Sequence, residues 1–544
     1  DVICSKNSTF CKSSHKLIVT EKPSVAQAIG KAMGITKRRD GYLEGGNYLV
    51  SWCVGHLVEL APPGSYDPKL TKWSKADLPI LPKTWQYLVS TSTQRQFEVL
   101  RSLMARPDVD QLVCATDAGR EGELIFRLVY HQCGCAKPFT RLWISSMEDA
   151  AIRDGFAHLK PSTEYDALYE AALCRERADW LVGINATRLF SCLYGQPLNV
   201  GRVMTPTLAM TVSREAAIDA FRPEPFYTVL LKMEDCMASS ERMKDKSQAE
   251  ALLAECRKAS QAVLQKTERK EKTERPPALY DLTSLQRDAN RLLGYSAQQT
   301  LDYTQALYEK KLVTYPRTDS RYLTEDMEPG LPDLVRQTAA HFGVTGEIPI
   351  HARQVINSKK VSDHHAILPT RSMAKADLSS LPAGEANVLR LIAARLLATV
   401  GEPYCYAETT VQMECAGTVF TAKGKAVLVE GWKAVERAVL GDTAQKNEEK
   451  LELLPEVQEQ ETLPVLDAQL KEGKTSPPKH FTEDTLLSAM ETAGKGELPE
   501  EAERRGIGTP ATRAGIIEKL VKKGFLTREG TGKTKNLIPT QKGR

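Results

Sequence analysis

The 544-residue chain contains no uninterrupted apolar run of about 18 residues, the length a helix needs to cross a bilayer. Its first 15 residues also lack the apolar stretch of a secretory signal. An excess of one charge is missing too: 73 Lys and Arg face 69 Asp and Glu, a net charge of +4. A globally cationic surface is excluded, so any affinity for a polyanion has to come from local basic patches. The 12 cysteines are scattered, and Cys133 and Cys135 have no partner pair at zinc-finger spacing. Cys4 and Cys11 fall in a polar leader expected to be disordered, and the rest are expected to be reduced residues with packing roles. A complete phosphate-binding loop is absent as well. Gly530-Thr531-Gly532-Lys533-Thr534 matches the end of that pattern, but the glycine it needs at position 527 is Thr527. This segment is read as a basic turn with no nucleotide bound. The apolar fraction of 42% suffices for ordinary cores, and the length predicts three to four domains.

What is present is a pair of like-built turns. Leu17-Ile18-Val19-Thr20 reads as a short buried strand, followed by Glu21-Lys22-Pro23-Ser24 and a helix with Ser24 as its expected N-cap. Leu112-Val113-Cys114-Ala115 reads as a second strand. It leads into Thr116-Asp117-Ala118-Gly119-Arg120-Glu121-Gly122-Glu123 and a helix with Leu124, Ile125, Leu128 and Val129 on one face. In an open parallel sheet such turns lie together at the carboxyl ends of the strands. Glu21, Asp117 and Glu121 would then share one cleft. Clustered carboxylates need a compensating cation, and oxygen ligands without sulfur or histidine suit Mg²⁺.

A third constellation is Thr314-Tyr315-Pro316-Arg317-Thr318-Asp319-Ser320. Proline biases Tyr315 toward extended backbone, and in extended backbone residues two apart share a face. The phenol of Tyr315 and the guanidinium of Arg317 can therefore address one phosphate, the first as nucleophile and the second as charge stabiliser.

Together these residues resemble the type IA DNA topoisomerases, most closely the bacterial topoisomerase III branch. The resemblance runs from about Lys16 to the C-terminus. Val19 to Ser24 and Ala115 to Glu123 are similar to the two acidic motifs of the Toprim fold. Asn199-Val200-Gly201-Arg202-Val203-Met204-Thr205-Pro206-Thr207-Leu208 is similar to the single-strand-contacting segment. Thr314 to Ser320 resembles the nucleophile motif, Asp363-His364-His365-Ala366-Ile367-Leu368-Pro369-Thr370 the active-site histidine motif, and Gly506 to Arg513 the late glycine-rich signature. Gly119 departs from the pattern, because many relatives have aspartate there. One Mg²⁺ is therefore expected, held chiefly by Glu21 and Asp117 with Glu121 as a further ligand.

The resemblance implies a multidomain fold: a Rossmann-like α/β Toprim domain followed by helical and β domains, forming a toroidal core. The expected boundaries are a leader over 1–15, the Toprim domain over 16–155, a helical DNA-binding domain over 156–222 and 465–544, a β-rich arch over 223–278 and 410–464, and a helical domain with the nucleophilic tyrosine over 279–409. Within this scheme the charge run from Lys266 to Arg275 is read as a solvated connector, and 441–461 as an acidic loop. The abrupt end at Lys542-Gly543-Arg544 and the start at Asp1 suggest a trimmed chain, and relatives carry zinc ribbons that are not seen here.

The implied activity is that of an ATP-independent, Mg²⁺-dependent isomerase. Tyr315 would cleave one DNA strand through a 5′-phosphotyrosine, a strand would pass, and the break would be resealed. Lys22 is the expected proton donor to the leaving oxygen, Arg317 the charge stabiliser, and His364 its hydrogen-bonded support, while His365 would point away. Arg188, Arg202, Arg317, Arg513 and residues 199–204 would contact single-stranded DNA. Trp180 could stack on a base or pack against neighbouring helices. The implied partners are single-stranded and supercoiled or catenated duplex DNA, with no membrane and no nucleotide cofactor. The implied setting is a monomer in the bacterial cytoplasm, at the nucleoid. Two other readings stay open on sequence alone: a Toprim primase or nuclease that does not use Tyr315, and a non-catalytic single-strand clamp.

Overall fold

The computed structural model describes residues 14–441, 443, 454, 460–495 and 506–544. Chain compactness divides them into two units. The first comprises residues up to Thr207 with Leu301–Asp319 and Ser362–Leu381; the second comprises Leu208–Thr300, Ser320–Val361 and Pro382–Arg544.

The first unit is built on a seven-stranded sheet in the order β2-β3-β4-β1-β7-β8-β9. Its strands are β1 (His15–Thr20), β2 (Lys37–Arg39), β3 (Tyr42–Gly45), β4 (Tyr48–Trp52), β7 (Val109–Ala115), β8 (Phe139–Arg141) and β9 (Lys160–Pro161). Two further strands, β5 (Val58–Leu60) and β6 (Tyr87–Val89), pair with each other. The centre β4-β1-β7-β8 is parallel, and β1 pairs with β7 so that Thr20 lies beside Ala115. Leu17, Ile18 and Val19 are fully buried, as are Leu112, Val113 and Cys114. Each such aliphatic side chain contributes roughly 1.5–3 kcal/mol by leaving water. These continuous apolar runs are what a strand covered on both faces requires.

Helices α1 (Pro23–Met33), α2 (Gln94–Ala105), α3 (Arg120–Gln132), α4 (Asp149–Ala157) and the long α5 (Asp166–Tyr194) belong to the same unit. The expected apolar face of α3 is buried through Leu124, Ile125, Leu128 and Val129. The start of α1 differs by two residues from expectation. Lys22 is the N-cap and Pro23 occupies the first turn, because the fixed φ of proline favours that position. No helix among the described residues is long and apolar enough to cross a membrane.

Helix α6 (Met204–Ala220) carries the chain from the first unit into the second. There a second seven-stranded sheet has the order β15-β12-β13-β14-β11-β10-β16. Its strands are β10 (Pro225–Lys232), β11 (Met237–Ser239), β12 (Gln261–Glu274), β13 (Tyr404–Cys415), β14 (Thr418–Val429), β15 (Thr462–Pro464) and β16 (Asp467–Lys474). The charge run from Lys266 is therefore not a connector. It lies in β12 and pairs with β13 up to Glu274. Alternating Glu and Lys mask a strand whose buried anchors, Ala262 and Leu264, come early. Strand β16, expected in the helical region beyond 464, pairs along all of β10.

Helices of the second unit include α7 (Lys246–Ala259), α8 (Leu282–Leu293), α10 (Leu331–His341), α11 (Ala383–Thr399), α12 (Gly431–Leu440), α13 (Glu483–Thr492) and α14 (Pro510–Lys522). Helix α9 (Ala297–Glu309) returns the chain to the first unit. The hairpin β17 (Leu526–Glu529) and β18 (Asn536–Pro539) ends the chain as expected. Of the expected leader, 1–13 lie outside the described residues and His15 already belongs to β1; most of the acidic loop at 441–461 also lies outside them. The ten cysteines among the described residues are free thiols.

Candidate active site

Because β1 and β7 are parallel neighbours in register, the residues that follow them emerge side by side. Glu21 follows β1 directly, and Asp117 follows β7 after Thr116. Burial first, and then the charge of Asp117, push the Glu21 carboxyl up to about 7. Burial likewise raises the Asp117 carboxyl, against the pull of Arg317, Lys22 and Arg141. Asp117 Oδ2 is buried without a hydrogen-bond partner. A buried oxygen of this kind is costly unless a cation or proton meets it.

The turn itself is rigidly framed. Arg141, fully buried, donates through Nη1 to the carbonyls of Cys114 (3.1 Å) and Thr116 (2.7 Å), and through Nη2 to that of Asp117 (2.7 Å). Its Nε pairs with Glu123 at 2.9 Å, and Glu123 also accepts from Arg127 at 2.8 Å. The last acidic residue of the motif is therefore a structural anion, fully buried between two arginines. Thr116 Oγ1 donates to the Gly122 carbonyl at 2.7 Å. A Cβ on Gly122 would lie 2.0 Å from the Asp117 carbonyl oxygen, so only glycine lets α3 start this close to the turn.

The nucleophile segment belongs to the same unit. Tyr315 N–H donates to the Ser145 carbonyl at 2.9 Å, and Thr314 N–H to that of Leu368 at 2.9 Å. The Tyr315 side chain is buried, which raises its phenol well above the ordinary range; Asp117 adds to this and Arg317 opposes it. Arg317 Nη1 donates to Gln305 Oε1 at 2.6 Å and stands 3.7 Å from Asp117 Oδ2. Lys22 Nζ reaches Glu309 at 3.3 Å, and Gln305 Nε2 reaches the same carboxylate at 3.0 Å. Gln305 and Glu309, one turn apart on α9, thus hold the two cations. Sequence reasoning passed over both, although their spacing on a helix leading into the motif is a readable signal.

His364 is buried with its ring 4.4 Å from that of Tyr315. It does not bond Arg317 as expected. Its Nε2 meets the Ala118 carbonyl and its Nδ1 the Ser145 hydroxyl at 2.7 Å. A carbonyl can only accept, so Nε2 carries the proton and Nδ1 accepts from Ser145. Burial lowers this imidazole to about 4, in keeping with a neutral ring. His364 therefore ties the nucleophile region to the acidic turn. His365 bonds its neighbour's carbonyl at 2.7 Å instead.

Four expected site residues have other partners. Glu121 is engaged by His56, whose hydrogen bond holds it below the ordinary carboxylate range. Among the described residues no three His, Cys, Asp or Glu side chains form a metal cluster. Arg188 is buried and donates to the Leu70 carbonyl at 2.7 Å. Arg513, in the second unit, is buried against Thr283 Oγ1 and the carbonyls of Ile507 and Gly508. Trp180 packs edge-on to Tyr66 and Trp85 and donates to the Ala61 carbonyl at 3.1 Å, the packing role of its two alternatives. For Arg188, Arg513 and Trp180, carbonyls or an aromatic wall claimed the side chain. The segment from Asn199 to Met204 precedes α6; Val200 N–H donates to Thr187 and Gly201 N–H to Thr205, and exposed Arg202 pairs with Asp179 at 2.8 Å.

A parallel sheet carrying paired carboxylates at its strand ends, with a buried tyrosine and a half-buried arginine beside them, is the architecture of a Toprim enzyme. A Toprim profile matches residues 16–147 and a DNA topoisomerase profile residues 163–544. The chain belongs to the bacterial DNA topoisomerase family and is a type IA enzyme. DNA topoisomerase 3 of Bacillus subtilis (strain 168) is 41% identical over 552 residues, covering 98% of this chain and 75% of that one. The DNA topoisomerase 3 of Bacillus licheniformis matches with the same identity and coverage. Full-length topoisomerase I from Thermotoga maritima shares the fold, with a TM-score of 0.73 at 22% identity over 96% of this chain and 80% of that one.

Proposed function

We propose that this topoisomerase breaks one DNA strand by attack of Tyr315 Oη on a backbone phosphate, leaving a 5′-phosphotyrosine and a free 3′-hydroxyl. Arg317 faces the phenol and stabilises the charge that develops on the phosphate. Lys22, held by Glu309, supplies the proton the leaving oxygen takes up. His364, neutral and fixed at both nitrogens, orients the segment that carries the tyrosine. Resealing is the reverse step: the 3′-hydroxyl attacks the phosphotyrosine and the phenol leaves. The phosphodiester energy stays in the covalent bond, so no nucleotide is consumed.

Glu21 and Asp117 fit one Mg²⁺: they offer only oxygen, they compete for a proton, and one Asp117 oxygen accepts no hydrogen bond. Bound there, the ion would neutralise phosphate charge as a Lewis acid. Arg202 and the 199–204 segment, with Arg317, would contact the single strand. This reading makes the enzyme a monomer acting on supercoiled or catenated duplex through its single-stranded stretches, at the nucleoid of a bacterial cytoplasm.

The observation that carries the proposal is Tyr315 and Arg317 gathered with Glu21, Asp117 and Lys22 inside one unit. The test is incubation with labelled single-stranded DNA and Mg²⁺, denaturation, and peptide mapping of the retained label. The label should map to Tyr315 and vanish in Tyr315→Phe. Activity surviving in that variant would point to a nuclease or primase instead. In Glu21→Gln, relaxation of negatively supercoiled DNA should fall by orders of magnitude; binding and topology assays that read the same as for the native protein would favour a non-catalytic clamp.

A further inference from the structure

A cavity of about 350 Å³ lies in the first unit, lined by Trp143, Ser145, Ser146, His158, Lys160 and Tyr165 among others. None of the steps proposed above uses it. Its aromatic wall is connected to the nucleophile by a series of rings. Tyr315 lies 4.4 Å from His364, His364 stacks on Trp143 at 5.8 Å and 11°, and Trp143 stacks on Tyr165 at 4.8 Å and 20°. These are the separations of successive planar groups in a stack. The indole N–H of Trp143 donates to the Asp363 carbonyl at 3.2 Å, which fixes the ring. The rest of the lining mixes polar groups, the Ser146 hydroxyl, exposed Lys160, and His158, whose imidazole is held by Asp154, with apolar Ile144 and Ala151.

We propose that this cavity receives one unstacked nucleobase of the DNA strand, from the nucleotides 3′ of the break. This rests on the assignment of Tyr315 as the nucleophile, since the fragment kept on Tyr315 is the one bearing the 5′-phosphate. The room suits a single heterocycle, and an aromatic wall binds any base by its π-face. A cluster of cations, as a phosphate site would need, is not what lines it. Lys160 at the rim suits the phosphate that flanks a splayed base, and Ser146 offers a hydrogen bond to a base edge. The cavity would keep the covalently held fragment in register for resealing while the other end is free to move.

The test scans an abasic site along a cleavable oligonucleotide, reading fluorescence-anisotropy binding in EDTA and covalent adduct in Mg²⁺. In the native enzyme, removal of one base just 3′ of the break should weaken binding about tenfold, the loss expected for one base–aromatic stack. Tyr165→Ala should lose the same factor on the intact oligonucleotide and nothing more on the abasic one. Tyr165→Phe should restore it, and Lys160→Glu, a surface change, should weaken binding without removing the abasic effect. A flat scan on the 3′ side with adduct still forming at Tyr315, or an unchanged scan in Tyr165→Ala, would overturn the proposal alone. Absence of adduct on every oligonucleotide would overturn it together with the role given to Tyr315.

Discussion

Partial burial, and then the charge of Asp117, raise the Glu21 carboxyl, and this has a measurable sign. Its carboxyl is pushed up to about 7 in the folded chain, from an ordinary value of 4.5. The folded state therefore binds a proton more tightly than the unfolded state does. The metal-free protein should lose stability as pH rises from about 4.5 to 7 and level off above that. The loss attributable to this group is on the order of 3 kcal/mol. Melting in EDTA at a series of pH values would show it, and Glu21→Gln should flatten the slope. Magnesium bound as proposed would compete for the same oxygens, so its affinity should rise across this window, with protons released on binding. The two neighbouring glycines of the turn make a contrasting pair. Gly122→Ala forces a Cβ against the Asp117 carbonyl and should cost about 1–3 kcal/mol, with relaxation activity falling with the displaced Asp117. Gly119→Asp meets nothing within 4 Å on extended backbone at the N-cap of α3, so thermal unfolding should be unchanged or slightly raised. Manganese titration should count one tight site in the native enzyme.

At the level of elements, both acidic turns were legible because strand, turn and helix each leave a local trace. An apolar run, charged residues with glycine, and a 3.6-residue periodicity all lie within about 15 neighbouring residues. The pairing of β1 with β7 follows from that grammar, and with it the meeting of Glu21 and Asp117. Strand β12 was not legible, since a strand with few buried side chains and alternating Glu and Lys looks like a solvated tether. Nor did local pattern reveal that Arg141 anchors the Asp117 turn, because β8 is three residues long and its arginine acts across the sheet. The hydrogen bonds that fasten the nucleophile segment to the Toprim residues were invisible for the same reason: partners such as Ser145 and Tyr315 are far apart in sequence. One tie outside the reacting groups is the ion pair of Lys311 with Asp149 at the start of α4. On the proposed mechanism, strand passage requires the tyrosine segment to part from the acidic turn. Asp149→Asn weakens one restraint on that parting and leaves the chemistry alone. Relaxation of supercoiled plasmid should quicken, while cleavage of a short oligonucleotide stays at the native rate; a parallel change in both would refute this role for the pair.

Across the whole molecule, the order of motifs along the chain was readable, but not which segments cluster. Residues 301–319 and 362–381 join the N-terminal unit although the sequence around them belongs to the other. Long-range return of this kind leaves no periodicity to find. Arginine roles suffered most, because a cation written beside a motif reads the same whether it faces a phosphate or a buried carbonyl. With a net charge of only +4, affinity for single-stranded DNA must rest on few contacts, and each should be separable by salt. Exposed Arg202 pairs with Asp179 and can exchange it for a phosphate. Arg202→Ala should weaken binding at low salt and reduce the slope of log affinity against log salt by about 0.7, the value for one single-strand phosphate contact. Arg188→Ala and Arg513→Ala remove buried donors from carbonyls instead. They should lower the melting temperature and leave the salt slope of the folded fraction as it is. A slope that falls in Arg513→Ala as it does in Arg202→Ala would mean that the buried guanidinium is released to reach DNA.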